Sequence, residues 1–244
     1  MPYREKITKA GRTILIERGY TSRYNQKGGT RRKHMQPTKE AQERANIRKS
    51  EKDMTILMNA NFNSGDMHVV LTYDSKYRPE TLEQVKADRK EFIDRLRKAC
   101  RKRGIRLIYI VCSEAGKRGA LHQHAVIPKM DIGIVNECWT KGWINIYPLS
   151  KTGEYSKLAN YFVKYRRQWK ELKGPGRAWS VSRGMFRPEP RIRIIKDRNS
   201  FYEEPRPRKG YYVAKDTVRH GVHEETGYTF LEYILVEHNE RRAP

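Results

Sequence analysis

His122 and His124, two positions apart in the segment LHQHAVIP, are the residues of this 244-residue chain best suited to chemistry. Residues two apart on a β-strand share a face, so this segment places both imidazoles on one side of a sheet. Two imidazoles on one face can hold a divalent cation. Glu114 lies eight residues before His122, and a hairpin would fold it back beside the pair. Two histidines and one carboxylate make a facial set that leaves coordination positions open for a substrate. Such a mixed nitrogen and oxygen site suits Mg2+ or Mn2+. The plainer readings are an ordinary surface or core histidine pair and a solvated turn glutamate.

A third group lies further on, in the segment NYFVKY. Tyr161 and Lys164 are three residues apart, which puts them on one side of a helix. Leu158, Phe162, Tyr165 and Trp169 form a separate apolar stripe that should pack on a sheet. Tyr161 and Lys164 therefore fall at its polar border, where a cleft would open. A phenol is a poor nucleophile until its pKa falls or its target is activated. Lys164 can assist the first or hold a phosphate. Tyr165 belongs to the stripe and reads as core, although a hydroxyl four residues from Tyr161 can also reach the same site.

The elements that must position these groups follow from periodicity. Met67–Tyr73 (MHVVLTY) reads as a strand. Leu82 to Ala99 repeats apolar residues at helical spacing, and Gly104 supplies a stop. Ile105–Cys112 and Ala120–Pro128 read as a strand pair around a basic, glycine-containing turn at 114–119. A short helix over Ile132–Thr140, a strand over Trp143–Tyr147 and an amphipathic helix over Tyr155–Leu172 complete the order β-α-β-β-α-β-α. That order predicts an α+β fold with a central antiparallel sheet and flanking helices.

The flanks look different. Residues 1–50 hold fourteen Lys or Arg against four acids and few large apolar side chains. Such a segment is predicted to lack the surface needed to offset its ordering entropy, so 1–53 reads as a basic N-terminal arm with at most a short helix over 38–53. An ordered domain should span 54–175. Residues 176–244 read as a basic C-terminal extension whose strand-like stretch, Tyr211–Val236, suggests a small appended hairpin.

The formal net charge of +24 points to a polyanion partner, nucleic acid being the commonest, with a chromatin-type binder lacking chemistry as the competing class. Residues 164–198 alone carry twelve Lys or Arg against three acids, with Trp169, Trp179 and Phe186 interleaved. Arg166, Arg167, Lys170, Arg177, Trp179 and Arg183 are the predicted DNA-binding residues, able to track phosphates and stack bases. The three cysteines lack zinc-ligand spacing and suit a reducing compartment. No apolar run is long enough to span a bilayer, and the start MPYREKITKAGR lacks a signal-type apolar region, so the expected location is cytoplasmic.

Taken together, the segments resemble the HUH endonuclease superfamily, particularly rolling-circle replication initiators of plasmids and single-stranded DNA phages. VVLTY (Val69–Tyr73) matches the first motif, His122 and His124 the histidine pair, and Tyr161 with Lys164 the Tyr-x-x-Lys helix. The resemblance covers roughly 66–172 and makes 54–175 an HUH endonuclease domain. It implies Glu114 as the acidic metal ligand, a divalent metal, and nicking of single-stranded or cruciform DNA through a covalent 5′-phosphotyrosine with a free 3′ hydroxyl. Relatives with Tyr-x-x-Lys-Tyr make Tyr165 a candidate second nucleophile. The sequence contains no G-x-x-x-x-G-K-[ST] segment, so a host helicase and polymerase are expected partners. A transposase of the same superfamily and a non-catalytic nucleic-acid-binding protein are the alternatives. One departure concerns Gln123, where the superfamily usually places a bulky apolar residue. Burying that amide unbonded would cost ~1–3 kcal/mol, so either Gln123 has partners or its sheet face is less dry than usual.

The charge distribution sets a first expectation. Affinity for single-stranded DNA should fall steeply between low and moderate salt, measured by anisotropy of a labelled oligonucleotide. Binding that hardly changes over that range would contradict an electrostatic footprint.

Overall fold

The computed structural model describes residues 2–20, 38–115, 120–175, 179–196, 200–222 and 227–238. In chain order these form β1 (Tyr3–Ala10), β2 (Thr13–Tyr20), α1 (Lys39–Asn61), β3 (Met67–Tyr73), α2 (Leu82–Lys102), β4 (Ile110–Ala115), β5 (Leu121–Ile127) and α3 (Ile132–Cys138). Then follow β6 (Gly142–Pro148), α4 (Ser156–Glu171), β7 (Trp179–Val181), β8 (Arg191–Ile195), β9 (Tyr211–Val213), β10 (Arg219–Val222) and β11 (Thr229–Glu237). The fold is α+β, with two antiparallel sheets. The chain divides into one unit within Asn61–Lys151 and Lys157–Phe186, and another within Met1–Ala60, Thr152–Ser156 and Arg187–Pro244.

The first unit holds a five-stranded sheet in the order β6-β3-β5-β4-β7. Alternation in MHVVLTY sends Met67, Val69, Leu71 and Tyr73 to one face, where they are buried with Val111, Ala125 and Ile127. Helix α2 covers that face through Phe92, Ile93 and Leu96, and α3 through Ile134 and Val135. A capping box fixes the start of α2: the Thr81 hydroxyl accepts from the Gln84 N–H, and the Gln84 side chain accepts in return. Gly142 opens β6 so close to β3 that a Cβ there would stand 2.0 Å from the Thr72 carbonyl oxygen. Only glycine permits this approach.

Strand β4 begins later than the predicted Ile105–Cys112. Its ladder with β5 starts at the pair Ile110 and Val126. One residue beyond Val126, β5 ends ahead of Pro128, which has no N–H to donate. Ile105, Leu107 and Tyr109 still pack on the core but precede the ladder, and the Tyr109 carbonyl accepts from the Ser182 N–H at 2.9 Å.

Gln123 lies on the helix-covered face and is fully buried. Its carboxamide oxygen accepts from the Ser113 hydroxyl at 2.7 Å. Its NH2 donates to the Val85 carbonyl at 2.9 Å and to the Tyr73 hydroxyl at 3.3 Å. Ser113 in turn accepts from the buried Arg89 guanidinium at 3.1 Å. The amide has partners on both its ends, so its burial leaves neither end unbonded.

The second unit corrects the reading of 1–53 as an arm unable to order itself. Residues 3–20 form the hairpin β1–β2, and the expected short helix over 38–53 is the first part of α1. The hairpin sits inside a six-stranded sheet in the order β10-β11-β2-β1-β8, with β9 also on β11. The C-terminal extension is thus the other half of the same sheet rather than an appended hairpin. Ile14 and Ile16 of β2 are buried with Leu231, Tyr233 and Leu235 of β11. Leu15 packs on the opposite face with Ile234 and Val236. Lys52 of α1 bridges Glu17 at 2.5 Å and Glu232 at 2.7 Å. The ordering entropy is offset by partners more than 200 residues away, which local composition cannot register. The segment GGTRRKH and the turn residues 116–119 lie outside the described residues.

The Gln123 network carries an expected stability effect. Gln123→Ala should destabilise the domain by about 2 kcal/mol, from lost hydrogen bonds and the space left behind. Gln123→Leu, which refills the volume, should cost less. Urea denaturation of both variants checks the ranking.

Candidate active site

The face of the first sheet opposite Gln123 carries the predicted site residues Glu114, His122 and His124. Register sets them in rungs across the strands. Trp143, Thr72, His122 and Glu114 form one rung. Asn145, Val70, His124, Cys112 and Trp179 form the next. Tyr147, His68, Val126 and Ile110 form the third. The hairpin of β4 and β5 therefore brings Glu114 beside the histidine pair. His124 Nε2 lies 2.7 Å from Glu114 Oε2, and His122 Nδ1 lies 3.3 Å from Thr72 Oγ1.

His68 is a member of this cluster that motif reading passed over. Its Nε2 lies 3.1 Å from His124 Nδ1, and the two rings stack at 5.4 Å between centroids. The signal was in the sequence: alternation in MHVVLTY puts His68 on the face of Thr72. Burial, and then the charge of His124, push the His68 imidazole down to about 4, so it is neutral near pH 7. Burial also lowers His122, against the pull of Glu114. For Glu114, burial is outweighed by the hydrogen bond and charge of His124, which hold the carboxyl below the usual range and keep it ionised.

The ionised Glu114 fixes one of the protons. An ionised Glu114 only accepts, so His124 donates to it from Nε2. His68 Nε2 and His124 Nδ1 share one proton, its side set by the tautomers. A cation taking the Nε2 lone pair of a neutral His124 would leave the ring proton on Nδ1, where it would be donated to His68 Nε2. Ligating histidines commonly hold such an acceptor behind them.

The donor chemistry fits a divalent cation, and two of the three donors have suitable spacing. Two ligands each ~2.1 Å from an octahedral ion stand ~3.0 Å apart, close to the separation of His124 and Glu114. Among the described residues, no three His, Cys, Asp or Glu donors converge on one point as they stand. His122, turned to Thr72, is the donor that would have to move to complete the set.

Helix α4 places the tyrosines over the same face. Phe162, Val163, Tyr165 and Trp169 are buried, whereas Tyr161 is 42% exposed. The Tyr161 ring meets His124 edge-on at 6.0 Å, and the Tyr165 ring stacks on His124 at 5.0 Å. The two phenols touch each other at 4.4 Å between centroids. Burial, reinforced by Tyr161 and by the charge of Glu114, pushes the Tyr165 phenol far up. Lys164 is exposed three residues beyond Tyr161. The geometry gives Tyr161 an open approach and Tyr165 a core setting.

The predicted DNA-binding residues are only partly gathered. The Arg166 guanidinium lies over the Trp179 ring at 5.3 Å from its centroid. Arg167 is 3.9 Å from Glu171, and Lys170 is exposed. Arg183 lines a separate cavity with Arg97, Arg101 and Tyr109. Arg177 lies outside the described residues.

Residues 66–169, from the start of β3 to the last turns of α4, match the family model described as Replication-associated protein ORF2/G2P. No curated protein and no solved structure matches the chain significantly. The match covers the five-stranded sheet except β7, and it includes His68, Glu114, His122, His124 and both tyrosines.

His68 is expected to act on His124 from behind. His68→Phe should weaken Mn2+ binding by roughly ten-fold or more, read by isothermal titration calorimetry. His68→Asn, which keeps an acceptor, should recover part of that loss. Equal Mn2+ affinity in all three proteins would contradict a positioning role.

Proposed function

We propose that this chain, whose residues 66–169 match the family model described as Replication-associated protein ORF2/G2P, initiates rolling-circle replication by nicking single-stranded origin DNA as an HUH-type endonuclease. The observation that carries the reading is the rung Thr72, His122 and Glu114 with His124 beside it and an exposed Tyr161 above. Glu114, His122 and His124 would hold Mg2+ or Mn2+, and that ion would draw negative charge from the scissile phosphodiester.

Tyr161 supplies the nucleophile. Its oxygen attacks the phosphorus, and the bond from phosphorus to the 3′ oxygen breaks. The departing 3′ oxygen takes up a proton, while the phenol proton passes to solvent at the exposed position. The 5′ phosphate remains as an ester on Tyr161. The ester preserves the energy of the phosphodiester, so rejoining needs no nucleotide. Lys164, on the same side of the helix, is placed to pair with a phosphate oxygen. Tyr165 packs against His124 and shapes the floor. A second strand transfer from Tyr165 would require its ring to leave the core, at the cost of the stack on His124.

The free 3′ hydroxyl primes a host polymerase in this reading, with a host helicase opening the duplex and cruciform extrusion as another source of single strands. No described helix is long and apolar enough to cross a membrane, and the reading places the reaction in the cytoplasm.

The test uses a randomised pool of single-stranded oligonucleotides with Mn2+, followed by mapping of the DNA-linked peptide. Wild type should give an adduct on Tyr161, and Tyr161→Phe none. His124→Ala should lose at least about 100-fold in adduct yield while keeping most of its DNA affinity. Tyr165→Phe should still form the adduct in a single cleavage. Full yield in a chelated buffer, or an adduct that persists in Tyr161→Phe and vanishes in Tyr165→Phe, would overturn the assignment.

A further inference from the structure

Among the described residues, β6 is an edge strand, paired only with β3. Its alternation is complete. Ile144 and Ile146 pack into the core, while Trp143, Asn145 and Tyr147 point to the opposite face. That opposite face is the one bearing the reactive cluster. Tyr147 confirms it directly, with its ring 6.0 Å from His68. Trp143 stands in the rung of Thr72, His122 and Glu114.

Both rings are open to solvent: Trp143 is 61% exposed and Tyr147 is 55% exposed. Exposed edge strands usually carry charged or small polar side chains, because apolar edges invite association. Two large aromatics on one edge, flanking an exposed amide, run against that habit. They do nothing for the core, which Ile144 and Ile146 already serve. A partner that stacks on flat rings would account for them.

We propose that Trp143 and Tyr147 form a stacking rail for the bases of single-stranded DNA next to the scissile phosphate, with Asn145 between them bonding a base edge. The inference rests on the nicking reading and specifies how its substrate is held. Single-stranded DNA is the occupant for three reasons. Unpaired bases present their faces to aromatic rings, whereas paired ones do not. The chain carries a net charge of +24, and helix α4 over the same face has five Lys or Arg against one acid. Strand spacing puts Trp143 ~10 Å from His122, so a phosphate at the histidines leaves neighbouring bases within reach of β6. Along β6, Trp143 and Tyr147 are ~13 Å apart, enough for each ring to take a separate base.

The test measures binding, not cleavage. Full-length protein with Tyr161→Phe, in EDTA, is titrated into a fluorescein-labelled single-stranded oligonucleotide pool and into a labelled duplex. Trp143→Ala and Tyr147→Ala are each expected to weaken single-strand binding roughly ten-fold, and the double variant more. Trp143→Phe should retain most of the affinity, and duplex binding should change little in every variant. Thermal melting shows that each variant is folded. Unchanged single-strand affinity in the double variant would overturn the rail, as would an equal loss for duplex and single strand. Unchanged affinity would also assign the rings to another occupant, such as a protein surface. The nicking reading fails separately: a protein whose wild type binds through these rings yet forms no covalent adduct keeps the rail and loses the chemistry.

Discussion

The register of β5 between β3 and β4 is the constraint on which the site depends. Side chains alternate across a sheet, so a slip of one residue would send His122 and His124 into the core and Gln123 to the reactive face. Gln123 resists that slip. Its carboxamide is bonded to Ser113, Tyr73 and Val85 in a region packed by α2. An amide removed from those partners would lose bonds that water cannot replace in the core. The residue that departs from the usual apolar pattern is therefore a polar lock. It holds the histidines on their side by being held itself on the other.

With the register set, the remaining geometry follows by proximity. Glu114 lies directly across from His122, and Thr72 directly across on the other flank. His68 reaches diagonally to His124. Helix α4 then separates its two phenols by burial alone, leaving Tyr161 accessible and sealing Tyr165 against the His124 ring. One helix thus offers two chemically identical groups with different reach. The difference arises from the 3.6-residue repeat set against the apolar stripe of Phe162, Val163, Tyr165 and Trp169.

Much of this was legible in sequence where the information is local. Strand alternation in MHVVLTY and LHQHAVI and the stripe of α4 each depend on a few neighbouring residues, and the structure agrees with them closely. The same alternation that locates the histidine pair also locates His68, which was passed over because it belongs to no motif. Non-local effects were not legible. The early residues looked unable to order because their partners, Thr229–Glu237, lie at the far end of the chain. The late start of β4 depends on where β5 runs out. The orientation of His122 toward Thr72 is a rotamer choice that no spacing rule encodes. The predicted basic footprint was compositional, and composition cannot say that Arg166 lies over Trp179 while Arg183 lines another cavity.

The central proposal is that Glu114, His122 and His124 form one cation site, completed when His122 turns away from Thr72. Anomalous diffraction at the manganese edge, from crystals grown with Mn2+, tests it most directly. The account requires a single strong peak on this sheet face, with all three side chains at ~2.0–2.3 Å and His124 bound through Nε2. No peak there at saturating Mn2+, or a peak elsewhere with His124 still bonded to Glu114, would contradict it.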